Sequence, residues 1–261
     1  MYYTRDRFQP KRLFIMKINE IDQIPQSEFT SNYDFDVSPQ AARAAIKTGK
    51  PLPGYPGYFW RVNTRNLLQI FYDKFDYDAD RYSHYRGIGP AEVAYLSTER
   101  TFKSDGKKFL SIDTVAVHPQ YRNLGLGTML YLITMKLMKY WIIAGTGQTP
   151  AGRRAWMKLY STPGVQVDGV IIIDDKNFDT YANTRANTRV NKLFDNLMNL
   201  GFNQIALDNG YRYFTYPVEP GKGHLKSAAK QVMINTYGNY SERDWPAFRA
   251  LHFSLVARWV G

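Results

Sequence analysis

Apolar and polar positions follow different periods along this chain, and the places where the period changes mark its elements. Tyr58 to Val62, Leu67 to Tyr72 and Glu92 to Ser97 are short runs rich in aromatic and branched side chains, which predicts strands. Lys108 to Val117 is the strongest of them, carrying Leu110, Ile112, Thr114, Val115 and Val117. Its partly continuous apolar character predicts a central place in a sheet. From Gly125 to Tyr140 the period becomes helical, with Leu126, Met129, Leu130, Ile133, Leu137 and Met138 on one broad face. Trp141 to Ala144 predicts a further buried strand, Thr149-Pro150 opens a helix that ends at Tyr160, and Val165 to Ile173 is a strand again.

Further on, residues 176 to 200 read as helical in their second half, closed by Gly201. Asn203 to Tyr216 holds two strand-like runs around Asp208-Asn209-Gly210, a hairpin signal. After Pro217 and Pro220 two helices are expected, the last from Arg243 to Trp259 behind a Ser241 cap. Phe248, Leu251, His252, Leu255 and Trp259 then line one side, a face that docks on the chain itself or on a second copy as a homodimer contact. Residues 1 to 57 are punctuated by Pro and Gly and read as an irregular extension, apart from one short helix at Gln40 to Lys47. The expected organisation is therefore α/β (α+β) in three parts. An irregular extension covers 1–57, a domain of strands and helices covers 58–216, and a helical extension covers 217–261.

Composition narrows the chemistry. The chain has no cysteine, which excludes disulfides, cysteine-ligated zinc and a thiol nucleophile. Its four histidines (His84, His118, His224 and His252) are scattered, so no metal site is expected. No stretch approaches the roughly 20 apolar residues of a bilayer crossing, and Met1 to Met16 lacks the apolar core of a signal peptide. The expectation is a cytoplasmic protein with no membrane partner. A formal net charge of +11 draws anions, nucleic acids and acidic proteins among them.

The chemistry concentrates in Ser111 to Thr128, where a strand, a tight loop and a helix follow one another without a gap. Gly125 and Gly127 let the backbone approach an anion closely. The first-turn amides of the helix and its dipole favour negative charge there, and Arg122 adds a permanent cation with forked donors. No Lys-Ser/Thr pair follows the second glycine, so this is not a nucleotide-triphosphate loop. Nor does it have the three glycines and downstream acid of a dinucleotide fold.

Val117, Pro119, Tyr121, Arg122, Gly125, Gly127 and Thr128 together resemble the central motif of the GNAT acyltransferase superfamily, V-x-P-x-Y-R-x-x-G-x-G-T/S. The resemblance implies a GNAT-like fold, with a central mixed, mostly antiparallel sheet flanked by helices, and an acetyl-CoA or other acyl-CoA donor, its pyrophosphate held by the backbone of Asn123, Leu124, Gly125, Leu126, Gly127 and Thr128 beside Arg122. It implies further that Val115 and Val117 lie on a strand that splays from its neighbour, Trp141 to Ala144, and takes the acyl carbonyl and pantetheine arm. The implied activity is N-acetyltransferase-type transfer to an amine-bearing acceptor. Tyr160, in Ala155-Trp-Met-Lys-Leu-Tyr160, is similar to the family's A-x-x-L-Y element with shifted spacing and is the candidate acid; Asp113 is the candidate base.

The chain departs from the family where A-x-x-L-Y and G-F should adjoin. Tyr160 is followed by Ser-Thr-Pro-Gly, while Leu200-Gly-Phe202 comes later, with Leu197 where tyrosine belongs. The order of elements favours the helix ending at Tyr160, which makes 174 to 200 an insertion. Gln148 to Trp156 is also similar to a segment of GNAT-like proteins of tailed bacteriophages. The alternatives are a nucleic-acid acceptor, such as a modified base or tRNA, and a non-catalytic scaffold on the same fold.

Overall fold

Four consecutive residues of the strongest predicted strand, Phe109 to Ile112, are buried, because the sheet continues on both of its sides. A computed structural model of the chain describes residues 37, 39–63, 68–74, 92–145, 150–174, 195–217 and 251–261. The described residues fall into two compact units, 37 to 167 with 254 to 261, and 168 to 217 with 251 to 253.

The first unit opens with helix α1 (Pro39–Thr48) and strands β1 (Lys50–Pro51), β2 (Tyr58–Val62) and β3 (Leu68–Tyr72). Ala42 and Ala45 of α1 pack on Phe71 of β3. Strands β4 (Glu92–Ser104) and β5 (Lys107–Val117) form a long hairpin that turns at Asp105 (φ 49°) and Gly106 (φ 74°). Helix α2 (Leu126–Leu132) follows, continuing as a π-helical turn over Ile133–Leu137. There Met138 N–H bonds Ile133 O and the buried Thr134 hydroxyl bonds Leu130 O, which loosens the expected single helix. Strand β6 (Tyr140–Ile143) and helix α3 (Pro150–Tyr160) complete the series, with Trp156 of α3 packed on Tyr131 of α2 at 5.7 Å between ring centroids.

In this unit the strand order is β1-β2-β3-β4-β5-β6, with the chain's last strand, β10 (Leu251–Trp259), beside β6. Every pair is antiparallel except β5 and β6, which run parallel. In the second unit, β7 (Val165–Asp174) pairs over Asp168–Asp174 with β9 (Tyr211–Pro217), which pairs in turn with β8 (Asn203–Asp208) across the expected Asn209-Gly210 turn. A helical turn at 195–199 ends at Gly201 (φ 88°), where Phe202 N–H bonds Leu197 O, as expected of a glycine cap.

Two boundaries differ from expectation. The helix expected up to Trp259 is a strand over Leu251–Trp259, so the homodimer contact placed on that helix has no helical face there. Ser254, Leu255, Val256 and Ala257 are all buried, as in a strand covered on both faces, and such a run carries no period to separate it from a helix. At the other end, the short helix expected at 40–47 is present as α1, but 50–52 joins the sheet domain: Leu52 is buried, and Lys50 and Pro51 pair with Trp60 and Phe59. The segments before 37 and the helices expected between Pro217 and 250 lie outside the described residues. Among the described residues, no helix is long and apolar enough to cross a membrane.

Candidate functional site

The loop after β5 is anchored before it opens. His118 N–H extends the ladder onto Val93 O (2.9 Å), and its Nδ1 accepts from Gln120 N–H (3.4 Å) to cap the short 3₁₀ turn Pro119–Tyr121. Tyr121 is buried among the rings of Tyr58, Tyr72 and His118, at centroid distances of 6.5, 5.9 and 5.9 Å. From this anchor the chain emerges through exposed Arg122, Asn123 and Leu124. Arg122 Nε donates to Val117 O (3.4 Å), which tethers the guanidinium to the strand end.

Asn123 (φ 66°) and Gly125 (φ 82°) both occupy the left-handed region, and Gly125 caps α2. The first donor to reach a capping carbonyl is Met129 N–H, onto Gly125 O (3.0 Å), so the amides of Leu126, Gly127 and Thr128 precede the helical ladder. These amides and the helix dipole can receive an anion, and Arg122 adds a cation from the same loop.

The two glycines are not equivalent. A β-carbon at Gly127 would meet Val117 Cγ2 at 3.7 Å and Val115 Cγ1 at 4.0 Å, ordinary contacts toward the sheet. At Gly125 it would stand 3.0 Å from Tyr55 Oη and 3.7 Å from Lys158 Nζ, at a backbone angle that side chains rarely adopt. Tyr55 and Lys158 were not legible as site residues. Tyr55 Oη donates to Leu124 O (2.7 Å) across 69 positions of sequence, and Lys158 arrives on α3.

Beside the loop, β5 and β6 part. Their pairing runs from Lys108↔Tyr140 to Ser111↔Ile143 and stops, while β5 continues to Val117. Ala144 turns to β10 instead: its N–H donates to Leu255 O (2.9 Å) and its carbonyl accepts from Ser254 Oγ (2.7 Å). Val115 and Val117 lie on the stretch beyond this divergence, and alternate main-chain groups there face the side that β6 has left.

The β4–β5 register shift pairs Ser97 with Thr114 and Thr98 with Ile112, leaving Asp113 as a bulge. Asp113 is exposed, and its Oδ2 accepts from Ser97 Oγ (3.0 Å) and Thr114 Oγ1 (3.4 Å). Tyr160 is half-buried at the end of α3. The helix at the loop is α3, through Lys158 at Gly125 and Trp156 at Tyr131; Leu197 belongs to the core of the other unit.

Burial, with Arg122 adding to it, holds the His118 imidazole below its ordinary pKa. The unfolded chain takes up this proton near pH 6.5 and the folded chain does so only lower, so stability is full above about 6.5 and declines as the pH falls through that window. Thermal melts at about pH 7.5 and about 5.5 should show a larger drop for the unaltered protein than for His118→Asn, which keeps a capping acceptor and does not titrate. Equal drops would show that His118 does not set the acid limit.

No family model and no curated protein matches the chain. Among solved structures it is similar to a GCN5-related glucosamine N-acetyltransferase region of a fungal multi-domain GH3 β-N-acetylglucosaminidase. The identity is 14% and the TM-score 0.25, over 57% of this chain and 16% of that one. It is similar also to GCN5-related N-acetyltransferases from Kribbella flavida (11% identity, TM-score 0.28, 74% and 59% covered) and Sphaerobacter thermophilus (11%, 0.29, 75% and 81%). The chain thus spans less than two thirds of the first two, and likenesses of this strength carry no weight by themselves. On its own strand order the chain has a mixed, mostly antiparallel sheet flanked by helices, with β5 passing through the loop into α2.

Proposed function

We propose that this protein transfers an acyl group, most simply acetyl, from acyl-CoA to a primary amine. The observation that carries the proposal is the turn from exposed Arg122–Leu124 through Gly125, which opens α2 at the point where β5 runs on without β6. The first-turn amides and Arg122 would hold the diphosphate, and the β5 edge at Val115 and Val117 would accept the pantetheine amides as an added strand does. When bound, acyl-CoA supplies an activated thioester carbonyl. The residues around it have to position the amine and manage protons. As the N–C bond forms and the C–S bond breaks, Asp113 would take the amine's proton directly or through water, and Tyr160 would give one to the departing thiolate. A nucleic-acid acceptor draws support from cations held on rings (Lys107 and Arg258 on Trp141, Lys136 on Trp259), but these lie toward the start of β5, away from the loop.

The test combines calorimetry with CoA and a thiol-release assay against a panel of primary amines, where the absence of cysteine removes the protein's own background. CoA should bind, free thiol should appear only with an accepted amine, and Arg122→Gln should weaken CoA binding about tenfold. No CoA binding would reject the proposal; binding with no release across the panel would leave a non-catalytic binder.

A further inference from the structure

Lys158 is not part of the loop motif, yet α3 delivers its ammonium to the loop. Its Nζ stands 3.7 Å from the position that a β-carbon of Gly125 would take, and Tyr55 Oη bounds the same space at 3.0 Å. The tyrosine hydroxyl is already committed, donating to Leu124 O at 2.7 Å. That bond engages a carbonyl whose negative end would otherwise oppose an anion, and it leaves the lysine as a mobile donor over the glycine. Arg122 comes from the strand side of the turn and Lys158 from the helix side, so the two cations arrive from different elements.

We infer that Lys158 is a second phosphate-binding cation of this site, which meets the diphosphate of the acyl donor at Gly125. The inference rests on the acyl-CoA proposal and adds to it a residue that the loop motif does not contain. Lys158 is exposed, so its ammonium is hydrated without a ligand and can be replaced with little effect on the fold. A diphosphate that meets two cations and a row of amides gains a contact that a single guanidinium cannot supply.

Calorimetric titration of the full chain with CoA and with 3′-dephospho-CoA tests this. Lys158→Gln should weaken both by a similar factor, about five- to tenfold, and Lys158→Arg should restore most of the loss. Lys103→Gln, which removes one exposed charge at the far end of the β4–β5 hairpin, should change either by less than about twofold. A loss seen with CoA but absent with 3′-dephospho-CoA would overturn the diphosphate assignment in favour of the 3′-phosphate. A loss equal to that of Lys103→Gln would reduce the effect to general charge and overturn it as well. If the unaltered protein binds CoA and Lys158→Gln binds it as tightly, this inference alone falls; if the unaltered protein does not bind CoA, the acyl-CoA proposal falls and takes this inference with it.

Discussion

Gly125→Val should abolish CoA binding while Gly127→Ala leaves it nearly intact, although the two glycines stand two positions apart in one motif. At Gly125 the backbone has φ 82°, where a side chain costs roughly 1–2 kcal/mol and a branched one more. The added β-carbon would press within 3.0 Å of Tyr55 Oη and endanger its bond to Leu124 O, a further loss of about 1 kcal/mol. The remaining methyls would stand over the amides that form the phosphate seat. At Gly127 the new methyl would face Val117 and Val115 at 3.7 and 4.0 Å, within normal packing, and alanine in a helix gains up to about 1 kcal/mol over glycine. Melting curves establish that both variants are folded, and calorimetry with CoA then separates them. A Gly125→Val protein that binds CoA within about twofold of the unaltered chain would show that the turn is not where the diphosphate sits, since a blocked seat costs at least tenfold.

That contrast marks how far the sequence could be read. The passage from β5 through the loop to α2 is local, so spacing alone located it: the run from Leu110 to Val117, the proline exit, Arg122 and the helical period from Leu126 all follow within one stretch. What surrounds the loop is not local. Tyr55 reaches Leu124 from 69 positions away, and Lys158 reaches Gly125 only because Trp156 seats α3 against Tyr131. No periodicity encodes such meetings. The unequal burden on the two glycines is likewise a matter of direction, since Gly127 would point its β-carbon at the sheet and Gly125 at Tyr55.

The last strand failed to read for a different reason. Ser254 to Ala257 are buried on consecutive positions between neighbours, which erases the alternation that identifies a strand, and Leu251, Leu255 and Trp259 fall by chance at helical intervals. The hairpin of β4 and β5 reads short at its far end, where Glu99, Arg100, Lys103 and Lys107 hide the strand pattern behind charge.

Gly145→Val should cost the protein roughly 2–4 kcal/mol of stability and most of its activity, because it forces apart the two strands that already diverge. A β-carbon at 145 would stand 2.7 Å from Ile112 O and 3.5 Å from Asp113 O. Both are main-chain atoms of β5, so no rotation of a side chain relieves the clash. Nor can β6 retreat easily: Ala144, the residue before, is bonded through both its N–H and its carbonyl to Leu255 and Ser254 of β10, the latter contact buried. The strain must therefore pass into β5 at the Asp113 bulge, where the acyl carbonyl and the attacking amine would have to meet. The melting temperature should fall by roughly 5–15 °C for a chain of this size. In the folded fraction kcat/KM should drop far more than CoA affinity, because the proposed diphosphate seat is the α2 turn and not the divergence. Gly145→Ala should show the same split at smaller size. Were both variants to lose CoA affinity and kcat/KM by equal factors, the parting of β5 and β6 would be a feature of packing and the chemistry would have to be sought elsewhere.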